Sequence, residues 1–301
     1  SATPLCAIQF AEAVHEAQLP PGVFQLVAGR ADEIAAEMLE NPLCRKISFT
    51  GSTEVGRKLI RGAADQVTKL SLELGGHAPV LVFDDADLNA AVQGVLMAKF
   101  RNTGQSCIAA NRVYVQRSVY PQFLEQLVAR TRALKIGNGL EDGVEIGPLI
   151  GQRALDQALA HIDQAVSAGA KVQCGGRRWP GEPRGCFLEP TILAEVPPDA
   201  LCMREETFAP IAPVAVFDSE DEAVQKANAT DYGLAAYVFT RDLGRAWRLA
   251  EALEAGTVCI NESVPATSQC PFGGLKHSGW GRELGCEGLD GYLETKHISL
   301  R

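Results

Sequence analysis

No stretch of this 301-residue chain approaches the roughly 18 uninterrupted apolar residues that a membrane-spanning helix needs. Its first residues show neither a basic start followed by an apolar segment nor a cleavage site, which points away from secretion. Basic residues are in deficit: 28 Lys and Arg against 37 Asp and Glu leave a formal net charge of -9. Binding to nucleic acid or to an anionic membrane demands a basic face, so neither partner is expected. The nine cysteines stand at 6, 44, 107, 174, 186, 202, 259, 270 and 286, an odd number without a C-x-x-C pair and with few histidines nearby. That pattern predicts reduced thiols, a cytoplasmic setting and no structural metal. The dinucleotide fingerprint G-x-G-x-x-G is also missing. "GNGLEDG" at 137–143 mimics part of it but does not lie between a strand and an immediate helix, so it reads as a loop.

What is present is alternation. At 46% hydrophobic and 22% charged, the chain is long enough for two ordinary domains with substantial cores. Apolar residues at helical spacing over 3–17 are followed by a short apolar run, "GVFQLVAG", then by a helical pattern over 31–40 and the strand "KISFT". "GSTEVGRKLIRGAAD" continues as a helix and "VTKLSLEL" as a strand. The strands "APVLVF", "NRVYVQ", "FLEPTIL", "APVAVF", "AAYVFT" and "GTVCI" then alternate with helices over 87–99, 119–134, 151–168, 219–228 and 242–254. This is the rhythm of an α/β protein with a parallel sheet. The Pro- and Gly-rich stretch at 175–185 reads as an exposed loop.

Three stretches suggest chemistry. In "FRNTGQSCIAANR", Cys107 sits in a polar, glycine-containing bend between apolar segments, a setting for an accessible sulfur rather than a core one. Amides of that bend could help form the thiolate. "FTGSTEVG" ends a strand on a glycine and begins a helix, presenting amides and a positive dipole end to a phosphate. The same residues also make an ordinary turn in which Ser52 or Thr53 caps the helix. In "LSLELGGHAP", Glu73 ends a strand before a Gly-Gly turn, where partial desolvation would raise its pKa and suit it to act as a base. Taken alone, the stretch is read more simply as a carboxylate that merely caps or hydrogen-bonds that turn.

The ordered set "FTGSTEVG", "ELGGHAP", "FRNTGQSCIAANR", "EETFAP" and "PFGGLKHSGWGRELG" resembles the aldehyde dehydrogenase family from about residue 3 to the end, most closely its succinate-semialdehyde branch. The resemblance implies that Cys107 is the nucleophile and Glu73 the general base. Cys107 would attack the aldehyde, the thiohemiacetal would give hydride to NAD or NADP, and water activated by Glu73 would hydrolyse the thioester. It also implies that Gly51 and Ser52 contact the pyrophosphate and that Glu206 and Phe208 hold the nicotinamide ribose and ring. Leu74 would lie behind the nicotinamide, and Phe272 would form an aromatic wall of the aldehyde tunnel. Arg101 would grip the distal carboxylate of the substrate with its planar fork, the alternative being a surface salt bridge. Lys99, Arg112 and Arg117 read as solvated or structural charges.

Where the sequence departs from the family pattern, the expectations shift. "SATPL" aligns with a helix inside the coenzyme domain. The family's N-terminal third, with its oxyanion-hole asparagine and adenosine-ribose lysine, would therefore precede residue 1. Ala109 replaces the second cysteine of redox-regulated relatives, and Ala209 a usual glycine. Ala266 replaces a serine that helps bind succinate semialdehyde in some relatives. Ser1 stands where NAD-preferring members often carry glutamate, which keeps NADP open.

The expected architecture is a partial Rossmann-type coenzyme domain over 1–75, an α/β catalytic domain over 76–275 and a C-terminal segment over 276–301. That segment would carry a strand for a homodimer or homotetramer. The expected function is NAD(P)-dependent oxidation of a carboxylated semialdehyde, succinate semialdehyde first. The alternative is a fragment without hydride transfer, either a residual Cys/Glu esterase or a non-catalytic structural piece.

Overall fold

The computed structural model describes residues 3–301, so the expectation for Ser1 lies outside the described residues. The chain divides into two compact units, residues 1–47 with 57–70, and residues 48–56 with 71–301. In chain order the elements begin with α1 (Leu5–Glu16), α2 (Ala31–Glu40), β1 (Lys46–Thr50), α3 (Thr53–Ala63) and β2 (Lys69–Glu73). The segment 22–29, read as a short apolar run in the strand rhythm, forms no strand. A strand exists only when a neighbour takes its backbone N–H and C=O groups, and no described residues pair with it.

The larger unit continues with β3 (Ala78–Val82), α4 (Leu88–Phe100), a tight turn at Arg101–Gly104, β4 (Ala110–Gln116), α5 (Tyr120–Arg132) and α6 (Gln152–Ser167). Next come β5 (Lys171–Cys174), β6 (Thr191–Ala194), α7 (Leu201–Arg204), β7 (Ile211–Phe217) and α8 (Glu220–Asn228). The chain ends with β8 (Tyr232–Gly233), β9 (Ala235–Phe239), α9 (Leu243–Ala252), β10 (Thr257–Ile260), β11 (Leu275–Lys276), β12 (Gly279–Trp280) and α10 (Glu287–Asp290). Residues 293–301 carry no regular structure.

Seven strands form one sheet in the order β10-β9-β3-β4-β7-β6-β5, parallel except for the antiparallel pair β5–β6 at one edge. Side chains on a strand alternate between faces, and here both faces are buried. Leu81, Phe83 and Tyr114 pack into one cluster with Leu155 and Ile162 of α6, Ala223 of α8 and Leu249 of α9. Val80, Val82, Val113 and Val115 pack into the other with Val92 and Val95 of α4 and Phe123 and Leu127 of α5. Helices thus cover the sheet on both sides, which is why its strands read as near-continuous apolar runs. Asp87 caps α4 by accepting from the Ala90 amide (3.1 Å), and Asp242 caps α9 through Arg245 (3.0 Å). Pro79, which donates no ladder hydrogen bond, is accommodated in central β3 by a register shift between Ala78 and Pro79.

No helix of the described residues is long and apolar enough to cross a membrane. Among the same residues no cluster of three or more His, Cys, Asp or Glu could hold a metal ion. All nine cysteines are free thiols.

Candidate active site

Three chain segments meet behind Cys107. β2 carries Glu73 to the end of its strand, where Glu73 stands opposite Gly279 of β12 and its carbonyl accepts the Gly51 amide (3.0 Å). Leu74 N–H donates to Ser278 O (3.0 Å), while the Ser278 hydroxyl donates to Gly75 O (2.7 Å) and accepts from Gly233 N–H (3.0 Å). The Thr53 hydroxyl donates to His277 O (3.1 Å). The "FTGS" loop, the "ELGG" strand end and the "LKHSGWG" segment are therefore locked to one another. Gly76 then passes so close to Cys107 that a Cβ would collide with the Cys107 carbonyl oxygen, so only glycine fits there.

Cys107 lies half-buried in the 106–109 turn, closed by Ala109 N–H donating to Ser106 O (3.0 Å), just before β4. The backbone reaches this turn through Asn102, Thr103 and Gly104, all at positive φ (52°, 58° and 71°). Positive φ is costly for a β-branched residue such as Thr103. The surroundings hold it there: Gly147 N–H donates to Thr103 Oγ1 (3.0 Å), and Asn102 Nδ2 donates to Gln105 O (2.8 Å). A Cβ at Gly104 would strike the Ala209 carbonyl.

The electrostatics divide the two reactive groups. Glu73 is only 5% exposed. Its pKa is pushed up to about 7 by burial and then by repulsion from Glu283, with Arg282 and the Gly274 amide pulling partly back. Among the described residues, neither Glu73 oxygen accepts a hydrogen bond of good geometry. A buried carboxylate without partners is expensive and marks a functional position more often than a structural one. This favours the base over the capping role.

Cys107 behaves differently from the sequence expectation. The amides of Cys107 and Ile108 do favour the thiolate, as the bend suggests. They are outweighed by burial and by the nearby Glu206 and Glu73 carboxylates, and the thiol is pushed up to about 11.

Glu206 is drawn into the same place by Gly76 N–H, which donates to its Oε1 (3.0 Å), while among the described residues Oε2 accepts no hydrogen bond. Burial raises its pKa to about 7 against the Gly76 amide and the charge of Lys99. Phe208, two residues on, is 43% exposed and lies at positive φ (44°). Leu74 is buried, and Phe272 is buried in a backbone bridge with Glu283 (2.7 Å in both directions). Ser52 accepts the Val55 amide (3.3 Å) and so caps α3, and the neighbouring Gly51 is exposed, with its amide donated to Glu73 O.

Arg101 stands apart. It is exposed, and among the described residues its side chain makes no ion pair or hydrogen bond, so it is not held in a surface salt bridge. It lines a cleft of about 490 Å³ with Phe100, Asn102, Leu134, Glu145 and Ile146, while Cys107 and Glu73 are not among the lining residues. Its charge reaches the Tyr237 hydroxyl, which is also influenced by Cys107 and donates to Ile108 O (2.7 Å).

A family model described as "Aldehyde dehydrogenase family" matches residues 1–298. The chain belongs to the aldehyde dehydrogenase family. It is 50% identical over 300 residues to a glutarate-semialdehyde dehydrogenase of Pseudomonas aeruginosa, a match covering 100% of this chain and 62% of that protein. Identity is 49% to a succinate-semialdehyde dehydrogenase [NADP(+)] of Escherichia coli, again covering 100% of this chain and 62% of the other. A crystal structure of an NADP-dependent enzyme of E. coli superposes with a TM-score of 0.95 at 49% identity, covering 97% of this chain and 60% of that one. The chain thus spans about three fifths of the length of the curated aldehyde dehydrogenases it matches.

Two charges read as solvated or structural are more specific than that. Arg112 is fully buried and structural, donating to the carbonyls of His77 (3.0 Å), Lys226 (3.0 Å) and Ala227 (2.8 Å). Lys99 is fully buried on α4. Only Arg117 is solvated, paired with Asp218 (2.6 Å). The spacing of Val92, Leu96, Lys99 and Phe100 on one helical face carries the signal that Lys99 points inward. Tyr237, in the middle of an apolar strand run, carries no comparable signal.

Proposed function

We propose that this chain carries the nucleophile, base and nicotinamide-side contacts of an NAD(P)-dependent dehydrogenase that oxidises a carboxylated semialdehyde to the acid. The observation that carries the proposal is the convergence of Cys107, Glu73 and Glu206 around Gly76. The chain's own residues suit a dinucleotide: Glu206 Oε2 is free to accept from a ribose hydroxyl. Phe208 is partly exposed, and Gly51 is exposed just before the start of α3. Bound NAD or NADP would supply the hydride acceptor.

In this reading the Cys107 thiol first loses its proton to water, and Sγ, as thiolate, then forms the C–S bond to the aldehyde carbon and gives a thiohemiacetal oxyanion. Loss of hydride from that carbon leaves a thioester on Cys107. Glu73 takes a proton from water, the resulting hydroxide adds to the thioester carbon, and the C–S bond breaks to release the acid and restore the thiolate. A Glu73 pKa of about 7 suits this work, because the group holds and releases a proton near neutrality. Arg101 pairs with the distal carboxylate, which fits its unpartnered guanidinium and the distal carboxylates of the semialdehydes named for both relatives. Leu74 and Phe272 shape the nicotinamide and aldehyde sides.

Residues 1–75 are then the C-terminal part of the coenzyme domain, 76–275 the catalytic domain, and 276–301 a segment whose strand forms only against a neighbouring subunit of a dimer or tetramer. The test is a titration of the purified protein with NAD and with NADP. It is followed by turnover of succinate and glutarate semialdehydes. Binding of either coenzyme with release of reduced coenzyme supports the reading, and absence of both binding and turnover overturns it.

A further inference from the structure

Among the described residues Lys99 is the one buried ammonium near the site, and its surroundings form a closed circuit. Its Nζ donates to Asn111 Oδ1 (2.8 Å) and to Thr207 Oγ1 (3.2 Å), and the Thr207 hydroxyl donates to the same Asn111 oxygen (2.8 Å). Asn111 Nδ2 donates to Gly76 O at a longer 3.4 Å, and Gly76 N–H donates to Glu206 Oε1 at 3.0 Å. The peptide bond between Glu206 and Thr207 closes the ring. The circuit joins the turn that follows Glu73, the strand that follows Cys107 and the loop that carries Glu206 and Phe208.

We propose that Lys99 is a positioning residue of the candidate site: its ammonium orients Asn111 and Thr207 so that the Gly76 amide and the Glu206 carboxylate are held together. A space-filling role does not account for it. An apolar side chain of the same length would fill the volume without the desolvation penalty of a buried cation. What lysine adds is two donated hydrogen bonds to oxygens on different segments and a positive charge facing Glu206. Burial pulls the Lys99 pKa down to about 7, while Glu206 and Cys202 hold it up. The titratable groups facing Lys99 are Glu206 and Cys202 from the 201–208 segment, His77 from the turn after β2 and His161 from α6. Both histidines are pushed toward the neutral form, chiefly by burial, and Arg112 also acts on His77. Glu206 is the one carboxylate in that set.

The coenzyme consequence rests on the dehydrogenase reading, whereas the positioning itself does not, and the experiment separates them. Lys99→Met keeps the unbranched stem and removes the ammonium; Thr207→Val keeps the shape and removes the hydroxyl. Amide hydrogen exchange is read on the purified protein without coenzyme. The Gly76 amide and the 206–208 segment should exchange at least about tenfold faster in both variants, as local opening becomes easier, while α6 keeps wild-type protection.

Where the wild-type protein turns over, Lys99→Met should raise KM for NAD or NADP roughly tenfold, as for loss of a charge-assisted contact, with a smaller change in kcat. The pH at which coenzyme binding is half-maximal should move upward, because Glu206 without its cation holds a proton more tightly. Unchanged exchange at Gly76 in both variants overturns the proposal, as does faster exchange spread evenly into α6. If Lys99→Met fails to fold, Thr207→Val decides by the same readout. A wild-type protein that neither binds nor reduces coenzyme overturns the dehydrogenase reading, and exchange still decides the role of Lys99.

Discussion

The α-carbon of Gly76 packs against the carbonyl oxygen of Cys107 with no room for a side chain. The residue three places after the candidate base thus abuts the candidate nucleophile itself. Gly76→Ala forces the two segments apart. Since a displacement of about 1 Å can cost on the order of a hundredfold in rate, the variant should lose at least that much kcat/KM. The Glu206 contact through the Gly76 amide should weaken with it. Steady-state kinetics alongside a melting curve checks this, and wild-type activity in Gly76→Ala would show that the close approach is unimportant.

Glu73 makes a prediction with a sign. Its folded-state pKa, about 7, lies above the ordinary carboxyl value of 4.5. The folded protein therefore binds the proton more tightly than the unfolded chain. Whatever stability this contributes is present below the unfolded value and is lost as pH rises through about 7. Glu73→Gln removes the titration, so its melting temperature relative to wild type should rise between pH 5 and pH 8, by about 1–3 kcal/mol of stability. The same variant should release one burst of reduced coenzyme and then stall as a thioester, because deacylation has lost its base. Steady turnover at the wild-type rate would return Glu73 to a capping role.

Cys107→Ala should abolish both aldehyde oxidation and ester hydrolysis, while replacing Cys6, Cys44 or Cys286 leaves them intact. Without coenzyme, alkylation of Cys107 by iodoacetamide should be slow at pH 7–8 and climb toward pH 11, following a thiol whose pKa is about 11. Mass spectrometry of the peptide spanning residues 102–112 reads this directly. A plateau below pH 8 would contradict the burial and carboxylate repulsion found around the sulfur.

Arg101→Ala should leave the melting temperature unchanged, since among the described residues the side chain has no ion pair or hydrogen bond to lose. It should raise KM for succinate semialdehyde about tenfold to a hundredfold, the range for losing a charged hydrogen bond. An uncharged aldehyde of similar length should be nearly unaffected. Equal losses for both would mean that Arg101 supports the turn before Cys107 rather than the substrate.

How much of this was legible beforehand varies with the physics of each element. The apolar run at 78–82 is a strand with both faces covered by helices, whereas "KISFT" is an edge strand with only Ile47 buried, legible from its β-branched and aromatic residues. Glu73 was legible as a strand-end carboxylate before two glycines. Its isolation from hydrogen-bond partners was not, because Glu283 and Gly274 arrive from the far end of the sequence. The thiol of Cys107 reads as activated when only its own bend is considered, and the opposing carboxylates again come from distant segments. For Lys99 the sequence leaves a solvated and a structural reading open; its helical spacing with Val92, Leu96 and Phe100 selects the buried one. The run at 22–29 has strand-like residues but no strand, since pairing is a property of two segments and not of one.

Ser278 and Gly75 are 203 residues apart in the chain, yet their hydrogen bond fixes the turn on which Glu73 and Gly76 depend. The site is closed by some of the longest-range contacts in the protein. Such contacts form late, because the entropy of closing a long loop must be overcome first. On refolding, the helices and the central strands should regain their spectroscopic signals well before any catalytic competence appears. Through that interval Cys107 would stand without Gly76 behind it, an unscreened thiol open to oxidants that the finished fold keeps at a distance.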